Sequence, residues 1–376
     1  MSSVFQVSFR GFFRVSLPTV SPSFRSTIIV WAGRNISTTR QTSRPSRPSF
    51  SNMARTPVYF LSHGGPNIMY DTEHPAYKKL QEIGKEITEK VRPKAIVVFS
   101  AHWQAEPNTV EVNTAEMNPL IYDYYGFPSH YYEHKFPNVG NKALAETVLQ
   151  RLRNAGINAQ GVKRGLDHGV FAPFTVAFNP QTNPLSIPIV QASLFDSDDP
   201  DQHYKLGQAV ESLRDEGVQI IASGMAVHNL RDMFAAMNRP TPMPYTLSFD
   251  KALKEAVEQK PEDRQTALAE LLKRSDARRA HPSFEHLLPI HIAAGAAGKD
   301  PGKQFWTLPQ GSMSWAQYRF GASPYRAHTL GSIPCASRIK IGVEGLCFFI
   351  VGYARTRNDL CICYSSPFQL VPLRPT

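Results

Sequence analysis

The chain has 376 residues, of which 42% are hydrophobic and 19% charged; this is enough apolar material for a sizeable core and excludes collagen-like, coiled-coil and wholly disordered chains. Its formal net charge of +10 sits at its ends: residues 1–52 carry seven arginines and no acid, residues 327–376 carry five basic against two acidic side chains, and the stretch between is balanced. That distribution removes the main support for a nucleic-acid-binding surface, and the longest apolar run, Leu346–Tyr353, has under half of the roughly 18 residues that a membrane-spanning helix needs.

In chain order, residues 1–52 read as a presequence-like extension, rich in Ser, Arg and Pro and free of acids. A mitochondrial location is expected if this segment is a presequence, and a cytoplasmic one if translation starts at Met53. Residues 53–326 read as one catalytic α/β domain. The spacing predicts strands over 57–62, 95–100, 187–194 and 218–223, and helices over 75–91, 141–154, 202–216, 247–259, 264–275 and 284–295. Ser283 is placed to cap the last of these. Apolar strands of this length separated by helices imply a central mixed sheet with helices on both faces. Residues 327–376 form an atypical C-terminal extension that holds all four cysteines, so neither a disulfide nor a cysteine nucleophile is expected in the domain.

Three of the twelve histidines stand where apolar strands end. His63 lies in Ser62-His63-Gly64-Gly65-Pro66, His102 in Ser100-Ala101-His102-Trp103, and His228 in Val227-His228-Asn229. The carboxyl ends of strands in an open α/β sheet face one crevice, so three imidazoles converge there. His286, in Glu285-His286-Leu287-Leu288-Pro289, is the fourth candidate. Imidazoles without cysteine suit a catalytic metal with an open coordination position.

His168, in Gly165-Leu166-Asp167-His168-Gly169, is a candidate acid/base or substrate-binding residue, with Asp167 placed to orient an imidazole or to cap. The loop Tyr122-Asp123-Tyr124-Tyr125-Gly126-Phe127-Pro128 offers aromatic rings, Tyr125 among them, either to wall a pocket for a planar substrate or to cover the sheet. His74, His130, His134, His203, His281, His291 and His328 read as structural.

These five histidine motifs together resemble the class III extradiol ring-cleaving dioxygenases, in particular the DOPA 4,5-dioxygenase-like group, from about Thr56 to Phe320. The resemblance implies His63, His102 and His286 as metal ligands and His228 as a fourth ligand or as an acid/base. It puts His168 on the substrate side. It further implies Fe(II) for turnover, with zinc able to occupy the same site, and a catechol and O2 as reactants. Glu285 keeps a carboxylate ligand open. The histidines alone leave two other readings, a zinc hydrolase and a non-catalytic metal-binding protein on the same fold.

Overall fold

The computed structural model describes residues 55–237 and 239–322. The presequence-like segment 1–52, the extension 327–376 and His328 lie outside the described residues. Among the described residues no helix is long and apolar enough to cross a membrane.

The strands are β1 (Val58–Ser62), β2 (Ala95–Gln104), β3 (Thr109–Asn113), β4 (Leu120–Ile121), β5 (Asn158–Val162), β6 (Leu166–Asp167), β7 (Ile189–Leu194), β8 (Val218–Gly224), β9 (Val227–His228), β10 (Gly302–Trp306), β11 (Pro309–Gln310), β12 (Met313–Ser314) and β13 (Gln317–Phe320). The helices are α1 (Pro75–Lys85), α2 (Ser129–Tyr132), α3 (Lys142–Asn154), α4 (His168–Ala177), α5 (Pro200–Val210), α6 (Met233–Met237), α7 (Pro244–Val257), α8 (Pro261–Leu271), α9 (Ala277–Ala280) and α10 (Pro289–Ala297). Eight strands form one mixed sheet in the order β10-β13-β1-β8-β2-β7-β3-β5. Its centre, β1-β8-β2-β7, is parallel throughout, with Phe60 beside Ala222 and Phe99 beside the same residue.

Both faces of that centre are apolar because both are covered. Val58, Phe60, Val97, Phe99 and Ile220 join the buried sides of α3, α5, α7, α8 and α10 in one core. The alternate residues Tyr59, Leu61, Ile96, Val98 and Ile221 pack against α1 and α4 in another. The period-two alternation of a strand thus serves two cores at once.

Two of the differences from the sequence reading bear on the site. Strand β2 runs on to Gln104, so His102 lies inside its last turn of pleat instead of after it. The helix expected from Phe284 with Ser283 as cap starts only at Pro289, after Leu288, with no side-chain cap. The physical reason is visible at His286, whose carbonyl accepts the Met225 backbone N–H (2.9 Å) and is thereby drawn out of a helical ladder, while Pro289 restarts the helix where no N–H is needed.

Candidate metal centre

The parallel strands β1, β8 and β2 are neighbours, so residues just past or near their carboxyl ends come together. The His63 backbone N–H donates to the Gly224 carbonyl (3.0 Å), which fastens the end of β1 to the end of β8. Gly64 then turns with φ +68, and a Cβ there would meet the Trp315 ring at 1.9 Å; only glycine fits that turn. His102 is fixed from below: its N–H donates to Ser100 Oγ (3.2 Å), and Ser100 Oγ–H donates to Asp167 (2.7 Å). Asp167 is fully buried and also accepts from Arg164 (3.0 Å) and from Gln191. Its carboxylate makes no cap hydrogen bond to α4; it supports the floor of the site, and the His168 ring is oriented by another residue.

The imidazoles of His63, His102 and His286 lie 4.8–5.3 Å apart between ring centroids. Each has its Nδ1 committed to an acceptor-only group. His63 Nδ1–H donates to the Gly64 carbonyl (2.6 Å), His286 Nδ1–H donates to the Glu285 carboxylate (2.9 Å), and His102 Nδ1 stands 3.2 Å from Asp123 Oδ2. A neutral imidazole has one N–H, so each Nε2 carries a bare lone pair. His63 Nε2 is buried without a hydrogen-bond partner, and the Nε2 atoms of His102 and His286 face each other at 3.1 Å. Two lone pairs at that separation repel unless a cation is shared between them, so the donor set fits a metal ion.

Burial pushes His63 and His286 far below the ordinary histidine pKa, and neighbouring imidazoles push the same way. Both rings are therefore neutral at pH 7, the state a metal ligand requires. His228 is pushed down to about 3, first by burial and then by His281, His102 and His168.

The possible donor atoms fall into two triads, His63/His102/His168 and His228/Glu285/His286, joined by the contact between His102 and His286. Within the second, His228 lies flat on His286, with centroids 3.7 Å apart and planes 12° off parallel. It is held by β9, which pairs antiparallel with β12. Glu285 is bonded to His286 Nδ1 as its orienting partner. On the opposite side His168 packs 4.0 Å from His102 and 5.8 Å from His63 between centroids.

His168 Nδ1–H donates to Asp123 Oδ1 (2.9 Å), and the His168 backbone N–H reaches the same oxygen (3.0 Å). Burial alone would raise the Asp123 carboxyl; the hydrogen bonds from His102 and His168 override it and hold Asp123 well below the usual carboxylate range. Asp123 is the residue that sequence reasoning missed. It was visible only as part of a tyrosine-rich loop, and no local spacing links it to a histidine 21 or 45 residues away.

That loop is locked by its own hydroxyls: Tyr122 O–H donates to the His134 carbonyl and Tyr124 O–H to the Tyr131 carbonyl, both at 2.7 Å. Tyr124 sets its ring edge-on to His168, 5.5 Å between centroids, whereas Tyr125 is 91% exposed. Of the histidines read as structural, His74 caps α1 by accepting from the Ala76 N–H, His281 Nε2–H donates to the Ala226 carbonyl (3.0 Å), and His291 Nε2–H to the Leu268 carbonyl (3.3 Å).

Residues 57–320 match the family described as the catalytic LigB subunit of aromatic ring-opening dioxygenase. The chain is 35% identical over 263 residues to a 4,5-DOPA dioxygenase extradiol-like protein of Schizosaccharomyces pombe, covering 66% of this chain and 86% of that protein. It is 34% identical over 267 residues to a 4,5-DOPA dioxygenase extradiol of Beta vulgaris, covering 70% and 96%. A crystal structure of the uncharacterized protein JW3007 from Escherichia coli K12 superposes with a TM-score of 0.58 at 30% identity, covering 71% of this chain and all of that one. The chain belongs to the LigB family and is DOPA dioxygenase-like, a metal-dependent extradiol enzyme that opens an aromatic ring with O2.

Proposed function

We propose that the chain holds Fe(II) at His63, His102 and His286 and opens the ring of a catechol beside its diol, both atoms of O2 entering the product. The observation that carries this reading is the set of three imidazoles with Nδ1 committed outward and Nε2 turned inward. When bound, the ion supplies a Lewis-acidic point at which the diol and O2 meet.

The chain's own residues supply position and proton handling. With Nδ1–H committed to Asp123, His168 is left with Nε2 as its basic atom. It takes the catechol proton there, and the Asp123 carboxylate stabilises the imidazolium that results. The His168 imidazolium then returns that proton to the product oxygen; His228, neutral and stacked on His286, is left as an uncharged hydrogen-bonding partner beside the ion, a role its face-on packing supports over that of a fourth ligand. Tyr124 offers a fixed aromatic edge beside His168, suited to a planar ring, while Tyr125, being exposed, serves as substrate contact only at the rim. The names of the relatives make DOPA the first catechol to try.

An all-nitrogen donor set also holds zinc well. The test is metal-stripped protein reloaded anaerobically with Fe(II) or Zn(II), mixed with DOPA, caffeate, protocatechuate or catechol, and then exposed to O2. A yellow ring-opened product is expected only with Fe(II) and O2 together; equal turnover with Zn(II), or without O2, would overturn the reading.

A further inference from the structure

We infer that Asp123 is a shared positioning residue: one carboxylate that fixes the tautomer and direction of the metal-facing His102 and the substrate-side His168 together, tying the tyrosine loop to the metal centre. This rests on the ligand reading of His102 given above.

The fold places Asp123 for this. Strand β4 pairs in parallel with β6, Leu120 beside Leu166 and Ile121 beside Asp167, so the residues that continue the two strands run side by side. Asp123 Oδ1 receives both the backbone N–H and the ring Nδ1–H of His168, at 3.0 and 2.9 Å, and Oδ2 stands 3.2 Å from His102 Nδ1. A carboxylate is the side chain that suits this place, because both of its oxygens only accept. An asparagine keeps one acceptor and turns an NH2 toward the other imidazole, which must then rotate or move its proton to Nε2, the atom that faces the ion.

Asp123 also sits between Tyr122 and Tyr124, whose hydroxyls are bound to backbone carbonyls outside the loop, His134 just past α2 and Tyr131 within it. The loop therefore cannot shift without carrying Asp123, and with it His102 and His168. Partners of this kind behind a metal-bound histidine change metal affinity about 10–100-fold when removed.

The experiment uses the full chain. In Zn(II)-loaded protein labelled with 15N-histidine, long-range 1H–15N correlation is expected to show His102 and His168 both carrying their proton on Nδ1. Asp123→Asn is expected to weaken Co(II) binding about 10–100-fold and to alter the visible spectrum of the Co(II) form, while the metal-free variant unfolds within a few degrees of wild type. His102→Ala separates the two layers. If it binds Co(II) as tightly as wild type, the ligand reading falls and takes this inference with it. If His102→Ala loses Co(II) while Asp123→Asn keeps its affinity within about twofold and its spectrum unchanged, the role of Asp123 alone is overturned. Should Asp123→Asn fail to fold, the wild-type correlation decides, and a proton on Nε2 of His168 refutes the inference.

Discussion

His63, His102 and His286 share one device: an outward Nδ1–H bond to a carbonyl or carboxylate that leaves Nε2 bare. Removing a ring removes a donor, so His63→Ala and His102→Ala are expected to lose metal affinity by more than about 100-fold, beyond the range for losing only an orienting partner, and turnover with it. His168→Ala is expected to keep the metal and lose turnover; metal loss on dialysis equal to that of His102→Ala would contradict the substrate-side role. A second test lies beneath the rings. A Cβ on Gly169 would sit 2.5 Å from Ser100 Oγ and 2.8 Å from His102 Cδ2, so Gly169→Ala is expected to push His102 off its place and to cost at least tenfold in kcat, a loss of about 1.4 kcal/mol or more in the transition state. The five histidines of the site were legible because each sits in a short motif at a strand end or before a proline. The orienting carboxylates were harder: Glu285 is adjacent to its histidine, whereas Asp123 reaches its partners only through the pairing of β4 with β6.

Helix α4 shows how one element compensates within another. Pro173 stands inside it and has no N–H to give to the Gly169 carbonyl one turn back. That carbonyl is buried, and the Ser223 hydroxyl from β8 donates to it instead. Ser223→Ala would leave it unpaired at a cost of about 1–3 kcal/mol, or roughly 2–8 °C in Tm for a chain of this size. Adding Pro173→Ala restores an N–H to the carbonyl, so the double variant is expected to melt above Ser223→Ala alone. If Pro173→Ala shifts Tm equally in both backgrounds, the two groups are not coupled. Such compensation has no sequence signature, since the two residues are fifty positions apart. The central strands were legible because burial on both faces gives continuous apolar runs. Edge strand β5, with Asn158 and Gln160 exposed, offers no such run, and the start of α10 was misplaced because the His286 carbonyl is claimed by β8's exit from the sheet.

At the scale of the whole molecule, the balanced charge of residues 53–326 leaves buried histidines as a clear source of acid sensitivity. His291, on α10, is buried with its Nε2–H on the carbonyl of Leu268 near the C-terminal end of α8. Burial, and next the neighbouring His203, push it down to about 4. The unfolded chain takes up that proton near the ordinary value of about 6.5. Above pH 6.5 both states are neutral there and His291 adds no pH dependence. Between pH 6.5 and 4 the unfolded chain holds more protons, so stability falls as pH falls, and below 4 the penalty is complete at about 3 kcal/mol. His291→Gln keeps a donor at the Nε2 position for Leu268 but cannot titrate. Measured on metal-stripped protein, where acid cannot act by displacing the ion, the loss of unfolding free energy from pH 7 to pH 4.5 is expected to be smaller in His291→Gln by about 2–3 kcal/mol. Parallel curves for the two proteins would show that His291 is not held neutral by the fold.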